Sequence, residues 1–94
     1  MEFLVEFEVE VPSGTPESEV ERRTQAEASA AAKLADDGHL LRLGRRDTTA
    51  IGLYAAATEA ELNDLLRALP LAGWMQVTIT PLAPHPNDPG PAGR

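Results

Sequence analysis

Cysteine is absent from this 94-residue sequence, and aromatic side chains are few: two phenylalanines, one tyrosine and one tryptophan. Without cysteine the chain has neither a disulfide framework nor a thiolate metal site, and it carries no information about redox compartment. The two histidines, His39 and His85, lie far apart in the sequence and do not form a ligand cluster. We therefore expect no structural metal.

Basic side chains are also scarce. Eight lysines and arginines stand against fifteen acidic residues, which gives a net charge of −7, and such a surface repels phosphate backbones. No apolar run approaches the roughly 20 residues that a membrane span needs, and the N-terminus lacks the basic and then apolar order of a signal peptide. These absences predict a cytoplasmic protein that binds neither nucleic acid nor membranes.

A chain of this length is expected to form one domain. Its core is thin, because a domain of this size buries only about two-thirds of the surface that its unfolded chain exposes. Association with further copies of the chain would therefore help. Residues 1–82 carry the patterning of a folded domain, whereas residues 83–94 form a proline-rich tail without a core of its own. We expect this tail to lie on a neighbouring subunit.

The first half of the domain predicts a strand followed by a long helix. Apolar residues alternate with mostly glutamates over residues 2–11, as in a half-buried strand. The helix is expected to start with Thr15 as its cap and Pro16 at its first position. It should run to about Asp36, because Gly38 is a typical C-terminal stop.

The second half predicts a hairpin, a second helix and a last strand. The expected elements are a strand at 39–45, a strand at 48–55, a helix at 59–68 and a strand at 74–82. A tight turn near Arg46 and Asp47 joins the middle strands, and a capping box from Thr58 to Glu61 starts the helix. The order predicts an α+β, ferredoxin-like βαββαβ sandwich, in which two helices cover one face of a four-stranded antiparallel sheet.

One carboxylate falls on the inward stripe of the first predicted helix. At about 100° per residue, Glu27 shares this stripe with four other residues: Val20, Thr24, Ala31 and Leu34. Burying an unpaired carboxylate is costly, so Glu27 is a candidate for acid–base chemistry. Alternatively, Glu27 lies at the rim of the helix and pairs with Arg23, four residues earlier.

Specific residues resemble the muconolactone isomerase family. In the last third of the chain they are Leu69-Pro70-Leu71, Trp74-Met75, residues 77–82 and Pro84-His85-Pro86-Asn87-Asp88-Pro89. Earlier in the chain they are residues 3–5, Pro16-Glu17, Glu27, Gly38 and residues 61–66. The resemblance covers nearly the whole chain, and the block at the C-terminal end is its most specific part.

The resemblance implies a fold, an assembly and a reaction. Muconolactone isomerases have a ferredoxin-like fold of the dimeric α+β barrel type, and their dimers assemble into decamers. They use no cofactor while they shift the double bond of muconolactone to give the enol-lactone of 3-oxoadipate, in the β-ketoadipate pathway of catechol degradation and aromatic compound catabolism. The position of Glu27 is that of the proposed proton shuttle.

Such a reaction needs further groups around the base. The substrate carboxylate calls for an arginine, and Arg42 and Arg45 are the candidates, although their opposite parity allows only one of them to face the site. Alternatively, both pair with the acidic first strand. His39 is a candidate donor to an enolate oxygen, or only a partner of the helix dipole. Tyr54 and Trp74 are candidate pocket walls, or core and interface residues.

Two positions depart from the family pattern. A serine that the family often has is replaced by Ala31, an aromatic residue by Gly44, and the loop after Arg45 is about two residues shorter. We expect these two positions to line one pocket, so that the loss of a hydroxyl and an aromatic wall there changes the substrate. The alternative functions are therefore a non-catalytic oligomeric or ligand-binding protein, or an isomerase-like enzyme of a biosynthetic pathway with a different substrate.

Overall fold

The computed structural model describes residues 1–90 and confirms the predicted α+β architecture. Its elements are β1 (Glu2–Val9), α1 (Glu17–Asp36), β2 (Leu40–Arg46), β3 (Thr49–Ala55), α2 (Glu59–Arg67), a 3-10 helix (Ala72–Trp74) and β4 (Met75–Leu82). The four strands form one antiparallel sheet in the order β2-β3-β1-β4. Strands β2 and β4 are therefore its edges.

Strand β1 organises the two faces of the sheet. Phe3 is paired with Tyr54 of β3, and Val5 with Ile79 of β4, so these residues share the inner face, where the helices pack. The buried core consists of Phe3, Val5, Leu34, Tyr54, Ala56, Leu62, Leu66 and Leu69. Each large apolar side chain buried there contributes about 1.5–3 kcal/mol.

Helix α1 begins one residue later than predicted. Pro16 is the N-cap in extended conformation, and no side chain caps the first turn. The prediction that Thr15 caps the helix is wrong, because its Oγ1 donates to the Pro12 carbonyl oxygen over 2.7 Å and closes the preceding turn instead. Two acids, Glu17 and Glu19, lie in the first turn, where they complement the positive end of the helix dipole.

Gly38 ends helix α1 as predicted. Its φ of +82° is the left-handed conformation that glycine adopts without strain. The Gly38 N–H donates to the Ala35 carbonyl oxygen over 3.1 Å, and the next residue's N–H, that of His39, donates to the Leu34 carbonyl oxygen over 2.8 Å. This pair of bonds is a Schellman motif. It turns the chain directly from α1 into β2.

The hairpin and the second helix also follow the prediction. Asp47 and Thr48 connect β2 to β3, and Asp47 takes a positive φ of 52°. Thr58 Oγ1 accepts a hydrogen bond from the Glu61 N–H over 3.1 Å, which confirms the predicted cap of α2. A register shift near Leu41, between Leu40 and Arg42, is a β-bulge that the hydrophobic pattern does not reveal.

The ends of the outer predicted strands differ from the structure. Strand β1 stops at Val9, so Val11 lies outside the sheet and is 41% exposed. Trp74 belongs to the 3-10 helix rather than to β4. After Leu82, residues 83–90 form neither helix nor strand, and most of their side chains are exposed. The remaining part of the predicted tail, 91–94, lies outside the described residues.

No helix within residues 1–90 has both the length and the apolar character that crossing a membrane requires. Among the same residues, no group of three or more acidic or histidine side chains is arranged as a metal site.

Candidate functional site

Glu27 lies on the inward side of α1, half-buried, as the stripe on the helix predicts. Its Oε1 accepts a hydrogen bond of 3.1 Å from the backbone N–H of Leu71, a residue 44 positions away in the segment that joins α2 to β4. Burial raises the pKa of the Glu27 carboxyl above its usual range, and the Leu71 hydrogen bond opposes that rise. The result is a held carboxylate with an increased affinity for a proton.

Arg23 does not neutralise this carboxylate. Its guanidinium pairs with Glu19 Oε1 at 3.2 Å and lies over the Trp74 ring, 4.5 Å from the ring centroid. The alternative in which Glu27 pairs with Arg23 at the rim is therefore wrong for this chain. Within residues 1–90 no cationic side chain forms an ion pair with Glu27, so no such pair lowers the pKa of its carboxyl.

Tyr54 lies on β3, on the sheet face that packs against the helices, and is only 3% exposed. Burial and the negative charge of Glu27 together raise the pKa of Tyr54 to about 12. The ring lies over the backbone of Gly52, two residues earlier on the same face: a Cβ at Gly52 would stand 2.5 Å from Tyr54 Cε1. Glycine at this position makes room for the ring, and the same Cβ would also lie 3.3 Å from Leu43 Cδ1.

His39 directly precedes Leu40, the residue of β2 that is paired with Tyr54, and its ring is hydrogen-bonded to the backbone. Its Nδ1 lies 2.8 Å from the carbonyl oxygen of Ala55. A carbonyl only accepts, so Nδ1 must carry the proton in this bond, and the neutral ring then has an unprotonated Nε2. In that form Nε2 is an acceptor and not a donor. The neutral histidine therefore does not supply the donor to an enolate oxygen that the sequence suggested.

The two candidate arginines point to opposite faces of the sheet, as their parity predicts. Arg42 lies opposite Leu53 on the outer face, away from the helices, whereas Arg45 lies opposite Ala50 on the face that Tyr54 shares. Both side chains are exposed. No carboxylate within residues 1–90 forms a salt bridge with either of them, which disfavours the alternative of pairing with the first strand inside one chain.

Gly44 and Ala31 do not line one pocket of this chain. Gly44 lies opposite Ile51 on the outer face of the sheet, and a Cβ there would meet open space. Ala31 lies on α1, one helical turn after Glu27, at the inner face. The expectation that both departures alter the same pocket is therefore wrong, because the sheet separates them. Only Ala31 belongs to the surroundings of Glu27.

Two further features of the site are not predicted by the sequence. The donor to Glu27 is a backbone N–H, which no side-chain pattern reveals, although Pro70 marks the end of α2 just before it. The stacking of Arg23 on Trp74 joins residues 51 positions apart, and no local spacing predicts such a contact. Trp74 therefore packs against the Arg23 guanidinium. His85 lies in the exposed segment after β4.

Comparisons with known proteins show which family the chain belongs to. The family model of muconolactone delta-isomerase matches residues 1–88. The muconolactone delta-isomerase of Cupriavidus pinatubonensis is 31% identical over 93 residues, which cover 93% of this chain and 97% of that protein. Muconolactone delta-isomerase 1 of Acinetobacter lwoffii is 31% identical over 96 residues, covering 93% of each chain.

A solved structure adds support for the fold alone. A crystal structure of muconolactone isomerase superposes with a TM-score of 0.87 over the full length of both chains, at 23% sequence identity. The family match over most of the chain, the two relatives and the shared fold lead to one conclusion: this chain belongs to the muconolactone delta-isomerase family of isomerases.

Proposed function

We propose that this chain is a cofactor-free intramolecular isomerase that shifts a C=C bond in a small carboxylated lactone, of the type that converts muconolactone to the enol-lactone of 3-oxoadipate. Glu27 is the catalytic base and acid. The observation that carries the proposal is the state of this side chain: half-buried, without an ion-pair partner in residues 1–90, and held through one oxygen by the Leu71 N–H.

The geometry suits a proton shuttle on one face of a ring. The hydrogen bond from Leu71 fixes Oε1, so the other oxygen, Oε2, is the one directed to a substrate. Glu27 removes a proton from a ring carbon and returns it to another carbon of the same π system, which leaves the carboxylate as it began. A pKa raised by burial assists both halves, because the carboxyl then holds the proton between the two steps.

Arg45 is the better of the two candidates for holding the substrate carboxylate. It shares the inner sheet face with Tyr54, whereas Arg42 is on the other side of the sheet. A guanidinium binds a carboxylate through two parallel hydrogen bonds, which would fix the lactone ring relative to Glu27. Trp74, already held by Arg23, is the candidate aromatic wall on the side of α1.

The proposal includes the assembly and the setting of the enzyme. The outer sheet face bears the half-buried residues Leu4, Ile51 and Leu53, and no helix of residues 1–90 covers it. A second copy packed on this face gives the dimer, from which the proposed decamer is built. The segment after Leu82 would then lie on a neighbouring subunit. We place the enzyme in the cytoplasm, in the breakdown of aromatic compounds.

A kinetic assay with muconolactone tests the reaction. The wild-type chain should isomerise the lactone without added metal or coenzyme, and Glu27→Gln should lower kcat by at least about 10²-fold, the usual contribution of a positioned acid–base group. Glu21→Gln is the matched control, since Glu21 is an exposed glutamate of the same helix. If Glu27→Gln retains wild-type kcat, Glu27 is not the shuttle.

One observation favours a second candidate with the same chemistry. Ala31 offers no hydroxyl one turn from Glu27, so a polar contact to substrate is missing from the inner face. A lactone with an apolar group at that point would fit better than muconolactone. An isomerase of a biosynthetic pathway is therefore the alternative, and a panel of substituted lactones in the same assay separates the two by kcat/KM.

A further inference from the structure

The hydroxyl of Tyr54 is a donor that the fold leaves unused. No side chain or backbone group of residues 1–90 forms a hydrogen bond with it, yet the residue is only 3% exposed. No fully buried polar side-chain atom among these residues lacks a partner. The small exposed part of Tyr54 therefore includes its hydroxyl oxygen, which a ligand reaches from solvent while the ring is fixed in the core.

The position of the ring is determined by the fold. Gly52 gives the ring the space beneath it, and the core residues around it, including Leu34 and Leu62, hold it from the helix side. Tyr54 also lies within electrostatic reach of the Glu27 carboxylate, whose charge acts on its phenol. The donor on β3 and the base on α1 therefore both lie between the helices and the inner face of the sheet.

His39, the donor to an enolate oxygen that the sequence suggested, is excluded by its own hydrogen bond. The Nδ1–H of His39 donates a hydrogen bond to the Ala55 carbonyl oxygen, so Nε2 of the neutral ring only accepts. Arg45 is exposed and is already proposed to bind the substrate carboxylate. The developing negative charge on a carbonyl oxygen needs a donor that stays protonated and is held in place.

We propose that the Tyr54 hydroxyl donates a hydrogen bond to the lactone carbonyl oxygen and stabilises the dienolate formed when Glu27 removes the ring proton. This inference rests on the proposed isomerase function and adds a second catalytic residue to it. The C–H bond breaks, its electron pair moves into the ring π system and onto the carbonyl oxygen, and Glu27 carries the proton. When Glu27 returns the proton to the other carbon, the carbonyl re-forms and Tyr54 has kept its own proton.

The ionisation of the phenol agrees with this role. Burial and the charge of Glu27 raise the pKa of Tyr54 to about 12, so the hydroxyl stays protonated throughout the range in which the enzyme works. When Glu27 takes up the substrate proton, its charge disappears and a negative charge appears on the substrate oxygen instead. The hydroxyl therefore meets a stronger acceptor in the transition state than in the resting site, which is the condition for catalysis.

Tyr54→Phe tests the inference, because it removes the hydroxyl and keeps the ring that packs in the core. We expect kcat to fall about 10²–10³-fold, as for loss of one oxyanion donor, with KM changed less than about threefold since the ground-state carbonyl accepts weakly. Exchange of the ring proton with solvent deuterium should fall by the same factor. Ser29→Ala is the control, since it removes an exposed hydroxyl from α1.

The outcomes separate the inference from the proposed function. If the wild type isomerises lactones and Tyr54→Phe retains kcat within about threefold, the inference is overturned and the Glu27 proposal stands. A rise in KM alone, or a fall in activity that follows loss of folded protein by circular dichroism, assigns Tyr54 to packing and also overturns it. If the wild type acts on no lactone and exchanges no ring proton, both proposals fall together.

Discussion

Tyr54 is the single tyrosine of the chain, so its ionisation can be followed without interference from a second phenol. Its pKa rises from 10.0 to about 12, with burial as the larger cause and the charge of Glu27 as the smaller. That rise corresponds to about 3 kcal/mol of preference for the protonated phenol in the folded state. Replacing Glu27 by glutamine removes the smaller cause only. The Tyr54 pKa in Glu27→Gln should therefore fall by less than half of the rise and remain above 10.0.

The assay is a rapid jump to alkaline pH with detection of the phenolate absorption band. Absorbance read immediately after mixing reports the folded protein, and circular dichroism on the same time scale shows that the fold persists. Glu21→Gln, which removes an exposed charge from the same helix, should leave the titration of Tyr54 unchanged.

Two results would refute the reasoning. A wild-type phenol that titrates near 10 in the folded protein would mean that the ring is not buried as described. An unchanged pKa in Glu27→Gln would mean that the carboxylate and the phenol do not share one space, and the proposed site would lose its geometric basis. Because the folded pKa is raised, the associated stability is fully present below about pH 10 and is lost as the pH rises to about 12.

Three further variants test the packing of the Tyr54 ring, the cap of α2 and the effect of Glu27 on the stability of the fold. Gly52→Ala should lower the free energy of unfolding by about 1–3 kcal/mol, because the new Cβ would overlap the Tyr54 ring. Gly44→Ala is the control and should not lower it, because a Cβ there meets open space. Equal denaturant midpoints for the two variants would contradict the position of the ring. Thr58→Ala should cost about 0.5–2 kcal/mol through loss of the α2 cap, and Thr58→Ser should restore it in thermal unfolding. Glu27→Gln should be more stable than wild type at neutral pH, and the difference should vanish on acidification; a constant difference would contradict the raised pKa.

The architecture was predictable because each element carries its own local signal. Alternation places Phe3 and Val5 on one face of β1, and the cap at Thr58 and the stop at Gly38 fix helix boundaries within a residue or two. The errors lie where a local signal has two physical outcomes. Thr15 has a side chain that can cap a helix, but its hydroxyl donates to the Pro12 carbonyl oxygen in the preceding turn instead.

The site was predictable only in part, for a different reason. The helical period identifies Glu27, because an inward carboxylate is conspicuous on a stripe whose other members are uncharged. Its partner is a backbone N–H of Leu71, and the ring of Tyr54 is placed by a glycine two residues away. Such contacts depend on how the segment after α2 crosses α1, and no pattern within one element contains that information. The same limit explains why the sequence left open which of Arg42 and Arg45 faces the site, because a bulge near Leu41 alters the parity of β2.

The lack of an ion-pair partner for Glu27 within residues 1–90 favours a role in catalysis over a role in packing. Arg23 is one turn away on the same helix and has the reach to neutralise the carboxylate, yet it is held by Glu19 at 3.2 Å and by the Trp74 ring at 4.5 Å. Because the guanidinium is held by those contacts, it does not pair with Glu27 and does not lower the pKa of that carboxyl. The pKa of Glu27 stays raised by burial, and burying the charged carboxylate lowers the stability of the fold. Trp74→Ala should release Arg23 towards Glu27, which would lower the Glu27 pKa and slow a proton shuttle that depends on it. A pH–rate profile for Trp74→Ala that rises at the same pH as that of the wild type would show that the stacking does not control the base.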